Sequence, residues 1–423
     1  MKITILTMGS RGDVQPYVAL AQGLQQAGHE VTLCTAATFR ALAESHHLKF
    51  APVSADIVQM MQNEQGLQAM ESRNPIGFLN KMMEQMLPAV KRMSQEVFVA
   101  TEGVDLIIVS STMLFLAQAL HEWRGTPFLP AYPQPLLPTR DFQAMGMPAL
   151  PAWMPQPLRG AYNRFTHYVA IQVFYSIFRR AGNAMRQEQM GLPPMPRFAD
   201  LSSLYDGSQP LIYSFSEHVV PISDLPATMH ICGYWFTETT DWTPPDDLLS
   251  FLDSGDKPIY VGFGSMTDRQ PQELTHMIMD ALKITGKRAV LLSGWGNLGS
   301  TQLPDSIHVL HGAPHDWLFP RVAAAIHHGG AGTTGASLRA GIPTVVVPFI
   351  ADQPFWGERV EALGVGPAPI PRKKLTSAGL VTAIRATDDP QMQQKAASLG
   401  QQIRAEDGVA TAIKWIEHYY GKK

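Results

Sequence analysis

The residues that could do chemistry in this chain are concentrated between His327 and Arg359. Two histidines follow a short apolar run, and the small residues GGAGTTG come next. Glycine lets the backbone approach a ligand closely because it has no Cβ, and the unpaired N–H groups of a helix N-terminus bind phosphate. We therefore expect this turn to bind a diphosphate, whose developing charge His328 would stabilise. Three further residues would add backbone or hydroxyl hydrogen bonds: Gly330, Gly332 and Thr333.

A second apolar run follows this turn, and Asp352 and Gln353 stand shortly after it. Ligands of parallel sheets bind at the carboxyl ends of the strands, so both side chains should point into the same crevice and bind hydroxyl groups. Diphosphate and hydroxyl recognition together indicate a nucleotide-sugar site. Structural alternatives exist for each residue. A histidine at a strand end can be a core residue, as we expect for His327, and Asp352 with Gln353 can cap the next helix.

Asp13 is the candidate catalytic base. It follows the β-branched run at the N-terminus, in GSRGDVQPY. A carboxylate has an ordinary pKa of about 4 and cannot ionise an alcohol beforehand, but it can accept the proton while a new C–O bond forms. From the residues alone, capping of a helix that starts at Val14 explains Asp13 equally well. Ser265, in GFGSM, lies at another expected strand-to-helix turn, where it could contact a phosphate or cap the helix.

These motifs resemble the donor-binding signature of the UDP-dependent glycosyltransferases with the two-domain GT-B fold. The residue sequence of these motifs is most similar to that of sterol 3-β-glucosyltransferases. The resemblance continues upstream through PHDWLFP, which starts at Pro314, and reappears in GSRGDVQPY. It covers residues 1–40 and 255–370 well and residues 55–240 poorly. It therefore says least about the part of the chain that would hold the acceptor.

The resemblance implies an inverting, metal-independent enzyme that moves a hexose, with UDP-glucose as the expected donor, to a hydroxyl group of a hydrophobic acceptor such as a sterol. Asp13 would be its base, and Asp352 and Gln353 would contact the sugar. His315 lies in the region that contacts the nucleobase in relatives. The nucleotide sugar would be a co-substrate, and no other cofactor is expected. The histidines and carboxylates lack the spacing of metal ligands.

Alternatives stay open for the sugar donor, for the acceptor and for the functional class of the protein. HGA at positions 311–313 stands where plant-type members have a tryptophan that stacks on uracil, so a TDP-sugar is an alternative donor. A polyphenol, a hydroxy-lipid or an antibiotic aglycone could replace the sterol. Gly330 to Gly335 also fits the G-x-G-x-x-G fingerprint of an NAD-dependent dehydrogenase, although the paired histidines are not part of that fingerprint. The last alternative is a non-catalytic nucleotide-sugar binding protein, against which Asp13 argues.

The composition argues against several other classes. The net charge of −3 is unlike that of a nucleic-acid binder. The two cysteines, Cys34 and Cys232, cannot form a disulfide framework, which favours a reduced, cytoplasmic protein. Met1–Thr7 indicates a first strand and not a signal peptide. No apolar run approaches the ~20 residues that span a bilayer.

Strand and helix patterns alternate in two blocks, and 423 residues are many for one domain. Such alternation predicts parallel sheets with helices on both faces. With the resemblance, it gives an α/β, GT-B architecture of two Rossmann-like, doubly wound domains that face each other across a cleft. The expected parts are an acceptor-binding domain over 1–236, a polar, Pro-rich linker over 237–247, a nucleotide-sugar-binding domain over 248–405 and a last helix over 406–423. The resemblance implies that this helix packs back on the N-terminal domain.

A helix expected over residues 159–190 carries a separate hypothesis. Its arginines precede any acid and are interleaved with aromatic and aliphatic residues: Arg159, Arg164, Arg179, Arg180 and Arg186. Basic residues beside an aromatic, apolar helix suit an anionic membrane surface, so peripheral membrane contact is one interpretation. The other, which we favour from the sequence, is a helix that lines the cleft between the domains.

Overall fold

The computed structural model describes residues 1–54, 75–200, 202, 208–238, 242–264, 271–292 and 304–421. These residues form two compact α/β units. The N-terminal unit consists of Met1–Glu217, Pro221–Thr237 and Asp407–Lys423, and the C-terminal unit consists of His218–Val220 and Glu238–Glu406. Each unit has its own parallel sheet and its own buried apolar core.

The N-terminal unit is built on a seven-stranded sheet whose described strand pairs are parallel. Its strands are β1 (Lys2–Leu6), β2 (Glu30–Ala36), β3 (Lys49–Val53), β4 (Leu106–Val109), β5 (Phe128–Tyr132), β6 (Leu211–Tyr213) and β7 (Met229–Ile231). They lie in the order β3-β2-β1-β4-β5-β6-β7. All side chains of β4, with the sequence LIIV, are buried, because both faces of a parallel sheet are covered.

Helices cover both faces of this sheet. They are α1 (Arg11–Gln26), α2 (Arg40–Ser45), α3 (Pro75–Ala100), α4 (Leu114–Arg124) and α5 (Gln156–Met185), which continues as a π-helical segment over Arg186–Met190. One core cluster joins a face of the sheet to α1. A second joins the other face to α4 and to the C-terminal part of α5, where Phe178 and Met185 are buried. The sheet is therefore the middle layer of an α/β unit.

The C-terminal unit repeats this topology on a five-stranded sheet. Its strands are β8 (Ile259–Gly262), β9 (Ala289–Leu292), β10 (Ile307–Leu310), β11 (Ala324–His327) and β12 (Thr344–Val346). They lie in the order β10-β9-β8-β11-β12, again with parallel pairs. In both units, the second and third strands lie on one side of the first strand, and the fourth and fifth lie on the other. The prediction of two Rossmann-like units is confirmed.

The helices of the C-terminal unit are α6 (Asp246–Asp253), α7 (Pro271–Thr285), α8 (His315–Leu318), α9 (Ala331–Ala340), α10 (Gln353–Ala362), α11 (Ser377–Ala386) and α12 (Pro390–Ala405). Side-chain caps determine where the last two begin. The Thr376 hydroxyl accepts a hydrogen bond from the N–H of Gly379, and the Asp389 carboxylate accepts one from Gln391. These caps satisfy N–H groups that the helices would otherwise leave unpaired.

The last helix, α13 (Gly408–Tyr420), packs on the N-terminal unit. Its Val409 presses against Gly23 of α1, where an added Cβ would lie 2.3 Å from Val409 Cγ1. The ring of His230 stacks on Trp415, with the ring centroids 3.4 Å apart. Close apolar and ring contacts therefore join the end of the chain to the unit in which the chain begins.

The structure differs from the sequence patterns in a few elements. The patterns do not predict β3, β6 or β7. β3 contains Pro52, and β6 and β7 are three residues long, too short to show an alternation. The patterns also predict a first helix that starts at Val14, after Asp13, whereas α1 begins at Arg11. This difference matters because it changes the surroundings of Asp13.

Candidate active site

The carboxyl edge of the N-terminal sheet carries Asp13. The strand order reverses between β1 and β4, and the turns that follow two such strands diverge and leave a crevice. α1 begins here, with Ser10 at its N-cap. The backbone N–H and the hydroxyl of Ser10 both donate to Asp13 Oδ2, at 2.8 and 2.9 Å. This cap starts the helix early, so Asp13 lies within the first helical turn and not before it.

Gly9 leaves the space that Asp13 occupies. Its φ is +145°, which is a backbone conformation that only glycine adopts easily, and an added Cβ would lie 2.5 Å from Asp13 Oδ2. The Thr7 hydroxyl donates to the carbonyl oxygen of Asp13 at 2.8 Å. The position of the carboxylate is therefore determined by the turn on one side and by the helix on the other.

Opposing effects act on the pKa of Asp13. Burial raises it, while hydrogen bonds from Ser10 and from the side chain of Gln134 lower it, and the resulting pKa lies above the ordinary value. Burial also raises the pKa values of the nearby phenols of Tyr17 and Tyr132, which therefore stay neutral. A carboxylate with a raised pKa accepts a proton more readily. Asp13 can thus cap the helix with one oxygen and still act as a base.

His327, the last residue of β11, is a structural residue. Its side chain is fully buried. Its Nδ1 accepts a hydrogen bond from the N–H of Gly329 at 2.9 Å, and its Nε2 lies 3.4 Å from the Ser337 hydroxyl oxygen. Burial, with His328 and His315 nearby, holds its pKa well below the usual range. The ring is therefore neutral and packs inward, which confirms the expectation for this residue.

His328 is placed differently, at the switch point between β8 and β11. Its ring lies between two glycines. A Cβ added at Gly264 would lie 3.1 Å from its Cε1, and one added at Gly330 would lie 2.6 Å from its Nε2. Burial lowers its pKa to about 4. Its Nδ1 is buried without a hydrogen-bond partner among the described residues, and an unpaired buried polar atom is a candidate for contact with a ligand.

The N-terminus of α9 follows directly. Gly330 is the N-cap, and the N–H of Thr334 makes the hydrogen bond to the Gly330 carbonyl oxygen at 2.9 Å. The N–H groups of Gly332 and Thr333 belong to the first turn, where an α-helix offers no internal acceptor. Together with His328 they make an edge that suits an anion. The buried Oγ1 of Thr334 also has no partner within the described parts of the chain.

Asp352 and Gln353 follow β12 and hold the start of α10. Asp352 occupies the N-cap, but its Oδ2 accepts a hydrogen bond from the indole of Trp356 at 2.9 Å. The side-chain oxygen of Gln353 accepts from the backbone N–H groups of Phe349 and Ile350, at 2.7 and 3.1 Å. Both side chains therefore shape the turn after β12. Their expected contacts with a sugar stay a prediction.

Two predicted residues remain, His315 and Ser265. His315 opens α8, where its ring stacks on Phe319 with centroids 4.4 Å apart and its Nε2 lies 3.4 Å from the Tyr260 hydroxyl oxygen. It is close enough to His327 to lower the pKa of that ring. The predicted role of Ser265 at a phosphate cannot be compared with a position, because Ser265 lies outside the described residues.

Neither a cluster of metal ligands nor a membrane-spanning helix is found in the described parts of the chain. There, no group of three histidine, cysteine or acidic side chains is arranged to hold a metal ion. No helix in the same parts is both long and apolar enough to cross a membrane.

Known proteins share this architecture. The family model for the glycosyltransferase family 28 N-terminal domain matches residues 3–130, and that for the Erythromycin biosynthesis protein CIII-like C-terminal domain matches residues 290–414. The solved glycotransferase of kitacinnamycin aligns over 99% of both chains, with a TM-score of 0.68 and 18% identity. The calicheamicin glycosyltransferase aligns over 99% of this chain and 98% of its own, with a TM-score of 0.65 and 17% identity. The chain therefore has the GT-B fold.

The curated relatives of the chain are glycosyltransferases of one kind. The chain is 38% identical to the sterol 3-beta-glucosyltransferase of Emericella nidulans, over 98% of this chain and 30% of the relative. It is 35% identical to that of Cryptococcus neoformans, over 98% of this chain and 27% of the relative. It thus spans less than a third of the length of these relatives. The N-terminal family model and the solved structures that share the fold are those of glycosyltransferases, which argues against the dehydrogenase alternative.

Proposed function

We propose that this protein is an inverting glycosyltransferase that moves glucose from UDP-glucose to the hydroxyl group of a sterol or a similar hydrophobic alcohol. The observation that carries the proposal is the 38% identity to a sterol 3-beta-glucosyltransferase over 98% of this chain. The geometry supports it, because each unit presents reactive side chains at the edge of its sheet where ligands bind. Asp13 lies at the carboxyl edge of the N-terminal sheet, and His328 lies at the carboxyl edge of the C-terminal sheet.

Asp13 performs the proton transfer in this proposal. As the acceptor oxygen attacks the anomeric carbon of glucose, its proton passes to the Asp13 carboxylate. The new C–O bond forms while the bond from the sugar to the diphosphate breaks, and UDP leaves with the bonding electron pair. A raised pKa helps this step, because the carboxylate is then closer in basicity to the group that it deprotonates. The attack from the opposite face inverts the anomeric carbon.

His328 and the first turn of α9 stabilise the departing diphosphate. The neutral imidazole donates one hydrogen bond, and the N–H groups of Gly332 and Thr333 donate others. A diphosphate close to the ring would also raise its pKa, so the histidine would gain positive character as negative charge builds up beside it. Asp352, Gln353 and His315 complete the proposed donor site, with the first two at the sugar and His315 near the base.

The proposal leaves a choice of donor and acceptor open. One structural neighbour, a Streptomyces glycosyltransferase, was solved with thymidine diphosphate, so a TDP-sugar is the alternative donor. A polyphenol, a hydroxy-lipid or an antibiotic aglycone is the alternative acceptor. A sterol would be collected from a bilayer because it is hardly soluble in water, and we propose that residues 159–190 make peripheral contact with that membrane.

A turnover assay read by mass spectrometry tests the proposed function. UDP-glucose and TDP-glucose are each offered with sterols, flavonoids and hydroxy fatty acids. We expect a hexose to be added to a sterol, and we expect Asp13→Asn to lower that rate by about 100-fold to 10,000-fold while UDP binding is unchanged. Asp105→Asn is the matched control, because Asp105 precedes β4 at the opposite edge of the same sheet and bonds the backbone N–H of Lys2.

The outcomes of this assay separate the alternatives. Transfer that survives in Asp13→Asn contradicts the assignment of the base but not of the reaction. UDP binding without transfer to any acceptor favours a nucleotide-sugar binding protein. Transfer to a flavonoid or a fatty acid alone corrects the acceptor.

A further inference from the structure

The first half of α5 has the reverse of the polarity expected for a surface helix. A helix at the surface of a globular protein normally turns its apolar side to the core. Here the inward side is polar, because Asn163, Thr166 and His167 are only 8%, 3% and 2% exposed. The outward side carries Leu158 and Phe165, which are 59% and 62% exposed. These two residues are seven positions apart and share one side of the helix.

The polar inward side has a structural explanation. It fastens the long loop over 133–155 that joins β5 to α5. Asn163 Nδ2 donates to the carbonyl oxygen of Arg140, and Thr166 Oγ1 accepts from the N–H of Ala144, both at 2.9 Å. The loop thus accounts for the buried polar side chains. It does not account for the apolar side chains on the opposite side of the same helical turns.

Charge identifies the kind of surface that would cover this outward side. The sequence over 142–187 contains five arginines and no acid. Arg164 and Arg186 are used inside the unit, where they form ion pairs with Asp224 and Glu122 at 2.7 and 2.6 Å. The sequence of this stretch is therefore positively charged on balance. An apolar side with a positive balance is complementary to a layer with an apolar interior and an anionic surface.

We propose that Leu158, Phe165 and Trp153 insert into the surface of an anionic lipid bilayer. Trp153 stands just before α5 and is 80% exposed, and tryptophan favours the interface between headgroups and acyl chains. The helix lies along the surface and does not cross it. The inference rests on the proposed function in one respect, namely that a bilayer is where the hydrophobic acceptor is found. It assigns the contact to the outer side of α5, and it leaves the buried Arg186 and the half-buried Arg164 out of that contact.

Flotation with lipid vesicles tests this surface. The full chain is mixed with phosphatidylcholine vesicles that contain or lack phosphatidylserine. We expect flotation with the anionic vesicles, weaker flotation with the neutral ones, and a loss of about ten-fold or more in the bound fraction for the double variant Leu158→Glu/Phe165→Glu. The matched control is Val99→Glu, because Val99 is an apolar residue of α3 that is 75% exposed. Gel filtration and thermal melting show whether each variant is folded.

Turnover adds a second readout to the same variants. The double variant should lose activity toward a sterol presented in anionic vesicles and keep it toward the same sterol carried by cyclodextrin. Wild type that does not float, or a double variant that floats as well as wild type, overturns the inference. A change of oligomer size in the double variant shows that a second copy covers the face, which also overturns it. Flotation needs no turnover, so a floating but inactive protein contradicts the proposed function alone.

Discussion

The two units have the same strand order around their switch points, but they place different chemistry there. In the N-terminal unit, Asp13 follows the first strand. In the C-terminal unit, His328 follows the fourth strand, and the turn after the first strand contributes Gly264, which gives the His328 ring its space. Topology thus provides the crevice in each unit, and a few turn residues decide what it can do.

Burial moves both groups toward their neutral forms, with opposite consequences. It raises the pKa of the Asp13 carboxyl, which makes the carboxylate a stronger base. It lowers the pKa of His328 to about 4, which keeps the imidazole neutral near pH 7. In the proposed function, the first unit therefore supplies an acceptor of protons, and the second supplies a neutral donor of hydrogen bonds whose pKa a neighbouring diphosphate would raise.

Replacing His328 should have the largest effect, because it removes the functional group of the C-terminal unit and leaves Asp13 of the N-terminal unit in place. We expect His328→Gln to lower kcat/KM by about 100-fold to 1,000-fold and to weaken the binding of UDP, because a donor to the diphosphate is displaced. Steady-state kinetics and calorimetric titration with UDP measure these effects. His276→Gln is the control, since His276 is an exposed histidine of α7. UDP binding that is unchanged in His328→Gln would contradict the role of this ring.

The next prediction compares two glycines, one beside Asp13 and one beside His328. An added Cβ would meet Asp13 at Gly9 and His328 at Gly330, at 2.5 and 2.6 Å, but only Gly9 has a positive φ, of +145°. We expect Gly9→Ala to cost about 1–3 kcal/mol of unfolding free energy and to slow turnover by about 100-fold. Gly330 has an ordinary φ of −62°, so Gly330→Ala should cost less unfolding free energy than Gly9→Ala and act mainly on UDP binding, because the added Cβ displaces the His328 ring.

Gly28→Ala is the control for the strain at Gly9. Gly28 has a φ of +87° and nothing within 4 Å of an added Cβ, so its replacement strains the backbone without touching a functional group. Denaturant unfolding and turnover should show a stability loss with normal activity. Activity loss in Gly28→Ala would mean that strain alone explains the effect at Gly9.

The sequence predicts where the functional residues at the strand ends lie, but it does not predict which distant residues contact them. His328 and Asp352 follow apolar runs that β11 and β12 confirm as strands, and the rule for carboxyl edges then gives the place of each side chain. Gln134 acts on Asp13 from a turn more than a hundred residues away. Only the sheet order, which puts β5 beside β4 and β4 beside β1, brings those turns together.

The start of α1 shows a second limit of the sequence patterns. Apolar periodicity begins at Val14, so it predicts a helix that starts after Asp13. The cap that Ser10 and Asp13 make lengthens the helix by one turn, because the side chains satisfy N–H groups that periodicity does not consider. The same interaction turns a candidate base into a helix residue, and the pattern alone cannot separate the two roles.

Acid should destabilise the C-terminal unit through His328. Its pKa is 6.5 ordinarily and about 4 in the folded chain, so the folded state resists protonation. The unfolded state binds more protons between these values, and stability therefore falls as the pH drops from 6.5 toward 4. The contribution of His328 to the loss at pH 5 should be about 2 kcal/mol, and His328→Gln should remove that contribution while the contribution of His327 remains. Urea unfolding at pH 7 and pH 5 measures the difference, and an equal pH response in both proteins would contradict the assignment.

The smallest expected effect tests whether Ser10 acts through Asp13. The Ser10 hydroxyl lowers the pKa of that carboxyl by donating to Oδ2, so Ser10→Ala should raise it and move the acid limb of kcat/KM to higher pH by about one unit or less. The backbone N–H of Ser10 keeps its own bond, so part of the lowering persists. Ser10→Thr retains a hydroxyl and should restore the profile. A lower plateau without a shift would show that Ser10 stabilises only the helix, and a shift to lower pH would show that Asp13 is not the group that titrates.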